Sequence, residues 1–342
     1  MVAVGRPVLG LDIGGTKLAV GVVSADGTVS GFLAEPTRRE EGHEVIVRRL
    51  FDLGRRSIET ARAEGALGAR EDVAAVGVSC GGPLDARAGV LTGPLHLPGW
   101  DYVPIVQLGT DEFGLPVALE NDATAAAYGE YRFGAGRGTS TMVYLTLSTG
   151  VGGGAVINGQ LHRGAAGNGG EYGQISVRPG GRPGFGNRAG TLEAYASGTA
   201  IAERATEAVA ALGGTGRSSV LSALSKIRAE DVSAAARDGD ELAREVWDET
   251  VDLLASAVTD LVDILEPDLV VLGGGVTRAG DLLLVPLRAA VLSAAMPPAA
   301  AAVRIELAQL GDLVGVVGAG AIAFDKLAEP SPPSTLTSAP AR

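Results

Sequence analysis

The chain has little of several residue types that usually advertise a function. Its 342 residues include one cysteine, Cys80, and three histidines, His43, His96 and His162. A lone cysteine excludes an intramolecular disulfide and fits a cytoplasmic protein. Aromatic residues make up only 4%, and no apolar run escapes charge or glycine long enough to span a membrane. The N-terminus shows no charged region followed by a long apolar run, so no signal peptide is expected. Positive charge is short as well: 28 Lys and Arg against 40 Asp and Glu give a formal net charge of −12. That balance argues against a nucleic-acid-binding face and against a polybasic membrane anchor. An anionic substrate would need a local pocket of basic groups or backbone N–H donors.

Glycine is abundant, with 51 residues, and 46% hydrophobic content can supply a large core. The length suits two domains. Residues 7–13, 17–23 and 28–34 read as strands, 43–64 as a helix, 73–79 and 116–119 as strands, and 123–132 as an Ala-rich helix. Beyond the Gly-rich stretch 133–138, a strand at 141–147, a polar turn at 148–154 and a strand at 155–157 repeat the opening pattern. Residues 164–190 are loop-rich. Helical periodicity returns at 199–212 and 240–265, strands at 268–272 and 303–307, and a last helix at 313–327. The Pro- and Ser-rich end, 329–342, reads as a disordered tail.

Three glycine-rich sites each follow a strand. The first is Asp12-Ile13-Gly14-Gly15-Thr16-Lys17, the second Ser148-Thr149-Gly150-Val151-Gly152-Gly153-Gly154, and the third Gly273-Gly274-Gly275. Two readings of the first are open: a plain Gly-Gly hairpin turn, or a phosphate cradle in which bare backbone approaches an anion while Thr16 and Lys17 offer donors. No Gly-Lys-Ser/Thr closes a helix, so this is no Walker loop. The first turn returns as a strand, so it is no dinucleotide-binding fingerprint either. Asn121-Asp122 stands at a strand-to-helix junction. Asp122 reads either as a helix N-cap or as a general base for a sugar hydroxyl attacking a γ-phosphate.

Taken in order, these segments resemble the ROK family (repressors, open reading frames, sugar kinases). They are Asp12–Lys17, Gly81-Gly82-Pro83, Leu97-Pro98-Gly99-Trp100, Glu120-Asn121-Asp122-Ala123, Ser148–Gly154, Gly170-Glu171-Tyr172-Gly173-Gln174, Leu192-Glu193-Ala194-Tyr195-Ala196-Ser197-Gly198 and Gly273–Gly275. The resemblance spans about residues 7 to 327. It implies an α/β fold of two actin-like ATPase (ribonuclease H-like) domains around a cleft: 1–122 plus about 314–328, and 123–313. It implies ATP and magnesium, with Asp12 acting on the metal through water. Asp122 is then the catalytic base, and Gly82, Asn121, Asp122, Glu171, Gln174 and Glu193 face the sugar. Gly14, Gly15, Thr16, Lys17, Ser148, Thr149, Gly150, Gly152 and Gly153 hold phosphates, and Gly273, Gly274 and Gly275 support the nucleotide. The expected reaction is glucose to glucose 6-phosphate. N-acetylated hexosamines, mannose, fructose and allose are alternative acceptors, and polyphosphate an alternative donor. A homodimer or higher homo-oligomer is a family expectation.

A sugar-sensing repressor and a non-catalytic sugar-binding relative are the readings from other classes. The few residues before the first hairpin leave no room for the helix-turn-helix that family repressors carry. The retained Asp12, Asp122, Glu171 and Glu193 argue against a dead relative. The chain departs from the family at a structural zinc held by one histidine and three cysteines. Those positions fall on Gln174, Gly184, Gly186 and Thr191, so no zinc is expected. Without it, the loop is expected to pack by itself, using Pro179, Pro183 and Phe185. His96 stands where the family often has asparagine, and reads as a surface group or as a reader of a sugar hydroxyl.

Overall fold

The computed structural model describes residues 5–68, 72–184, 188–213 and 217–329. The opening apolar runs form β1 (Val8–Ile13), β2 (Lys17–Val23) and β3 (Val29–Pro36), an antiparallel meander. Helix α1 (His43–Ala63) crosses to β4 (Val76–Cys80), which lies parallel to β1. A short hairpin, β5 (Leu84–Asp85) with β6 (Val90–Leu91), and α2 (Ile105–Phe113) lead to β7 (Val117–Asn121). The sheet order is β3-β2-β1-β4-β7. Helix α3 (Asp122–Phe133) follows β7 with no linker.

The second sheet repeats this plan. Its hairpins are β8 (Met142–Leu147), β9 (Val151–Ile157) and β10 (Gln160–Leu161). A helical stretch follows: α4 (Glu193–Ala196), α5 (Gly198–Ala210), α6 (Ala229–Arg237) and α7 (Glu241–Leu265). Then come β11 (Leu269–Gly273), α8 (Asp281–Ala294), α9 (Pro297–Ala302), β12 (Arg304–Leu307) and α10 (Val314–Ala328). The order β10-β9-β8-β11-β12 matches the first sheet strand for strand, with β11 and β12 parallel to β8. The repeated turn seen in the sequence is therefore a repeated half-fold. No helix among the described residues is long and apolar enough to cross a membrane.

Two boundaries and two helices differ from the sequence reading. β4 begins at Val76, not at 73. The second turn is shorter, because β9 already starts at Val151. Helices α2 and α8 have no counterpart in that reading. α8 is leucine-rich and carries Pro286 in its interior, which blurs its period, and α2 is only 9 residues long. The predicted tail, 329–342, lies outside the described residues apart from Glu329.

Each sheet has its own core. Leu9, Leu11, Leu50 and Trp100 fill the first, and Val143, Leu145, Trp247 and Leu272 the second. The final helix, α10, returns to the first sheet, where Val316 packs with Val8, Ala19 and Ala75. It also crosses α3 backbone to backbone. A Cβ on Gly318 would lie 2.5 Å from the Ala125 carbonyl oxygen, so only glycine permits this approach. At the far end of α3 the fully buried Glu130 accepts from the N–H groups of Ala135 (2.9 Å), Gln309 (2.9 Å) and Leu310 (2.8 Å). Three charge-assisted bonds compensate the burial of that carboxylate.

Candidate active site

The first turn is braced from outside. Gly14 N–H donates to the Lys17 carbonyl at 3.0 Å, which closes the hairpin. Thr37, just past β3, holds both ends: its hydroxyl donates to Gly14 O at 2.6 Å and its N–H to Thr16 O at 3.0 Å. The side chains of Thr16 and Lys17 are left exposed. Beneath the turn, the half-buried Asp12 accepts from the Ser79 hydroxyl at 3.0 Å, and Gly315 of α10 sits against its carboxylate. Burial lifts its pKa from 3.8 to about 6. Ser79 opposes the shift, the negative charge of Asp122 adds to it, and Lys17 opposes it.

At the β7–α3 junction the capping role belongs to Asn121, not to Asp122. Asn121 Oδ1 accepts from Ala123 N–H at 3.0 Å and Thr124 N–H at 3.2 Å. Asp122 is thus the first helical residue, with its side chain exposed and one oxygen also accepting from Ala123 N–H at 2.8 Å. A Cβ on Gly82 would stand 3.6 Å from Asn121 Nδ2, so the Gly82 corner borders the free end of the Asn121 amide. Under the junction lies Glu120, fully buried and paired with Arg163 Nε at 2.6 Å.

The second turn is held by Ser148 N–H on Gly150 O (2.9 Å) and by Gly198 N–H on Ser148 O (2.7 Å). The Thr199 hydroxyl adds a bond to Thr149 O at 2.8 Å. Glu193, on α4, comes up beside this turn, and its Oε2 accepts from Val151 N–H at 2.9 Å. Its other oxygen remains for a ligand. Glu171 is exposed, and its pKa is raised by partial burial, then by the charges of Glu193 and Asp122. Asp122 therefore acts electrostatically on Asp12 to one side and on Glu171 to the other. Gln174 ends the one-turn helix that follows Glu171 and is half-buried.

Ser148, Thr149 and Gly275 open together onto a cavity of about 910 Å³. Leu221, Leu224 and Ile227 give it an apolar wall, with Lys226, Arg228 and Arg278 at its border. That size accommodates a nucleotide. Gly152, Gly153 and Gly273 do not line it. Gly152 faces Ala123 of α3, Gly153 faces Tyr172, and Gly273 is buried in β11 against Tyr144. Close packing accounts for these three glycines. The turn proper is Ser148–Gly150, and Gly274 with Gly275 forms the exposed end of the third site.

His96 is the residue whose place the sequence pattern left undefined. Its ring lies over Gly81, and a Cβ on Gly15 would come within 3.0 Å of His96 Cβ. The imidazole therefore sits between the first turn and the Gly81–Gly82 corner. Gly15 and Gly81 make room for it, a relation visible only in the fold.

The resemblance implies magnesium, and the family's zinc is not expected here. Asp12 suits a magnesium ion held mostly by phosphates and water. One carboxylate at the foot of a phosphate turn, with Ser79 fixing a single oxygen, leaves the other for a metal-bound water. The zinc positions do not suit zinc. They carry Gln174, Gly184 and Thr191, with Gly186 outside the described residues, and no thiolate or imidazole stands among them. Among the described residues no group of three or more metal-ligating side chains converges anywhere.

Paired half-folds of matching topology, each opening with a strand–turn–strand, form the actin-like ATPase fold. Within that class the chain belongs to the ROK family, whose model matches residues 8–326. The glucokinase of Thermotoga maritima is 34% identical over 93% of this chain and 98% of its own length. The glucokinase of Streptomyces coelicolor is also 34% identical, over 95% of this chain and 98% of its own. Among solved structures, the ROK hexokinase of Thermus thermophilus superimposes with a TM-score of 0.78 at 32% identity, covering 94% of this chain and 99% of that one. A ROK glucokinase from Streptomyces griseus, in complex with glucose and AMPPNP, has a TM-score of 0.75 at 32% identity, covering 93% and 99%.

Proposed function

We propose that the protein is an ATP-dependent hexose kinase that transfers the γ-phosphoryl group of ATP to the 6-hydroxyl of glucose. The observation that carries this reading is the position of Asp122. It stands exposed at the N-terminus of α3, in electrostatic reach of Asp12 under one turn and of Glu171 across the cleft. A base there can take the hydroxyl proton as the sugar oxygen bonds to phosphorus and the bridging oxygen leaves with ADP.

The other residues orient and bind. Sugar hydroxyls donate to Glu171 and to the free oxygen of Glu193, while the Asn121 amide and Gln174 supply further polar contacts. Backbone N–H groups of Gly14–Lys17 and Ser148–Gly150 surround the phosphates, with Lys17 adding charge. Magnesium, when bound, would offset phosphate charge, with Asp12 holding one of its waters. The apolar wall of the cavity suits a purine base, which supports a nucleotide rather than polyphosphate as donor. The names of the curated relatives support glucose as acceptor.

The same proposal takes 1–122 with about 314–328, and 123–313, as two bodies that close on the sugar and exclude water. It also includes a cytoplasmic location, no nucleic-acid partner, and a homo-oligomer. Ile264, near the end of α7, and Met296, just before α9, are 76% and 63% exposed, and the Met296 N–H donates to Asp263 beside Ile264 at 2.8 Å; this is a candidate contact face. The test is coupled ADP release over a panel of hexoses, with ATP and polyphosphate as rival donors. Turnover with glucose and ATP is expected. No turnover with any hexose would refute the reading.

A further inference from the structure

The loop that in the family's pattern would carry zinc is held here by another device. Residues 175–182 pair back against 190–192, with Val177 and Arg178 N–H on Gly190 O (2.9 and 3.0 Å), Gly190 N–H on Arg182 O (2.8 Å) and Leu192 N–H on Ile175 O (2.8 Å). A Cβ on Gly184 would lie 2.6 Å from the Thr191 hydroxyl, so these two former ligand positions remain neighbours. Neither offers a zinc donor, and the Thr191 hydroxyl is buried without a hydrogen-bond partner.

Beneath the hairpin lies Tyr195, 3% exposed, two residues past Glu193 on α4. Arg178 and Arg204 both sit on its ring, at 5.2 and 5.6 Å from the centroid. Its hydroxyl accepts from Arg182 N–H at 2.9 Å. Both arginines are anchored on α7 through Glu249, Arg178 at 2.6 Å and the buried Arg204 in a short ion pair. Arg204 also donates to Tyr195 O at 3.0 Å and to Thr250 Oγ1 at 2.7 Å. Arg182 pairs with Glu207 of α5. On the other strand of the hairpin, Arg188 donates to Gln174 O at 3.0 Å.

We propose that Tyr195, with Arg178 and Arg204 both over its ring and both tied to α7 by Glu249, is a metal-free clamp that positions Glu193 and the Glu171–Gln174 segment for the sugar. The proposal rests on the sugar-kinase reading for what the clamp serves. Its physical basis is independent. Arg204 is buried and its guanidinium has several acceptors, while the half-exposed Arg178 adds a second cation over the ring and an ion pair to Glu249; together these contacts restrain Tyr195. Tyr195, Arg178 and Arg204 act as positioning residues, because none of them touches the reacting atoms.

The test uses the full chain with Tyr195→Phe, Arg178→Met and Arg178→Lys. Tyr195→Phe keeps the stacked ring and loses the bond from Arg182. Arg178→Met removes the stacked cation, while Arg178→Lys keeps a charge. The expected result for Arg178→Met is a rise in the glucose KM of about tenfold, with kcat and the ATP KM held within about twofold. Tyr195→Phe should show a smaller shift of the same kind, and Arg178→Lys should recover part of the loss. Equal changes in both KM values, or no change in the glucose KM of Arg178→Met, overturns the proposal. Metal analysis of the wild type should find no stoichiometric zinc, and exhaustive EDTA dialysis should leave the glucose KM in place; bound zinc overturns it.

Amide exchange separates this proposal from the kinase reading. Arg178→Met should lose protection at 188–193 while α7 stays protected, whether or not any sugar is turned over. Unchanged protection there sinks the clamp, whereas a wild type that phosphorylates no hexose sinks the kinase reading alone.

Discussion

Replacing Asp12 with asparagine should make the protein more stable near neutral pH and almost inactive. The carboxylate is desolvated under the first turn and faces Asp122, which raises its pKa from 3.8 to about 6. A carboxyl with a raised folded pKa holds its proton more readily in the native state. Its contribution is therefore favourable at low pH, declines as pH rises from the unfolded value to the folded one, and is fully lost above about 6. A difference of about two pKa units corresponds to roughly 3 kcal/mol as an upper figure. Asparagine is nearly isosteric and keeps an oxygen to accept from the Ser79 hydroxyl, so the substitution removes the charge without opening a cavity. Urea unfolding of both proteins near pH 7 should show Asp12→Asn ahead by about 1–3 kcal/mol. Near pH 4 the gap should close. Magnesium- and ATP-dependent turnover should fall by orders of magnitude in the same protein. A variant that is less stable at both pH values, or whose gap does not change with pH, would refute the electrostatic account of this site.

Asp122→Asn should lower kcat by about 10²–10⁴ while glucose binding measured by calorimetry changes little; near-normal turnover would remove Asp122 as the base. Gly150→Ala should raise the glucose KM, because the new Cβ would stand 2.6 Å from Glu193 Oε2 and push that carboxylate aside. Glu171 has a raised pKa, so as pH falls its acceptor oxygens should be lost earlier than for an ordinary glutamate. The glucose KM should therefore climb in mild acid, and this rise should be absent in Glu171→Gln, in which that acceptor no longer titrates. Gly318→Ala should cost about 1–3 kcal/mol in denaturant unfolding, since its Cβ meets backbone rather than a side chain that can move.

Some of this was legible in the sequence and some could not have been. The Asp12–Lys17 turn and the Asn121-Asp122 junction were readable because a strand period breaks at a polar, glycine-bearing corner. Their order along the chain carried the family resemblance. Gly152 and Gly153 have a packing role that the sequence did not disclose. A glycine that admits a helix and one that admits a phosphate leave the same letter. In β9 the neighbours are Ala123 and Tyr172, and only the fold reveals them. The role of Asn121 as the helix cap was likewise hidden, because Asn and Asp are equivalent by propensity. His96 could not be placed, since Gly15 and Gly81, which make room for it, are far from it in sequence. The cluster around Tyr195 draws on residues of α5 and α7 that share no spacing signal with the loop. The missing zinc ligands were visible, and what replaced them was not.

Helix α10 has a consequence for how the protein must be made. It follows β1 by most of the described chain, yet it covers one face of the first sheet, over Val8, Ala19 and Ala75, and supplies Gly315 against Asp12. Until it leaves the ribosome, that sheet presents an apolar face with nothing on it. The first phosphate turn also lacks its backing for that interval. Folding of the N-terminal half is thus tied to the synthesis of α10, and nascent chains should need a holding chaperone longer than their early, locally paired hairpins suggest.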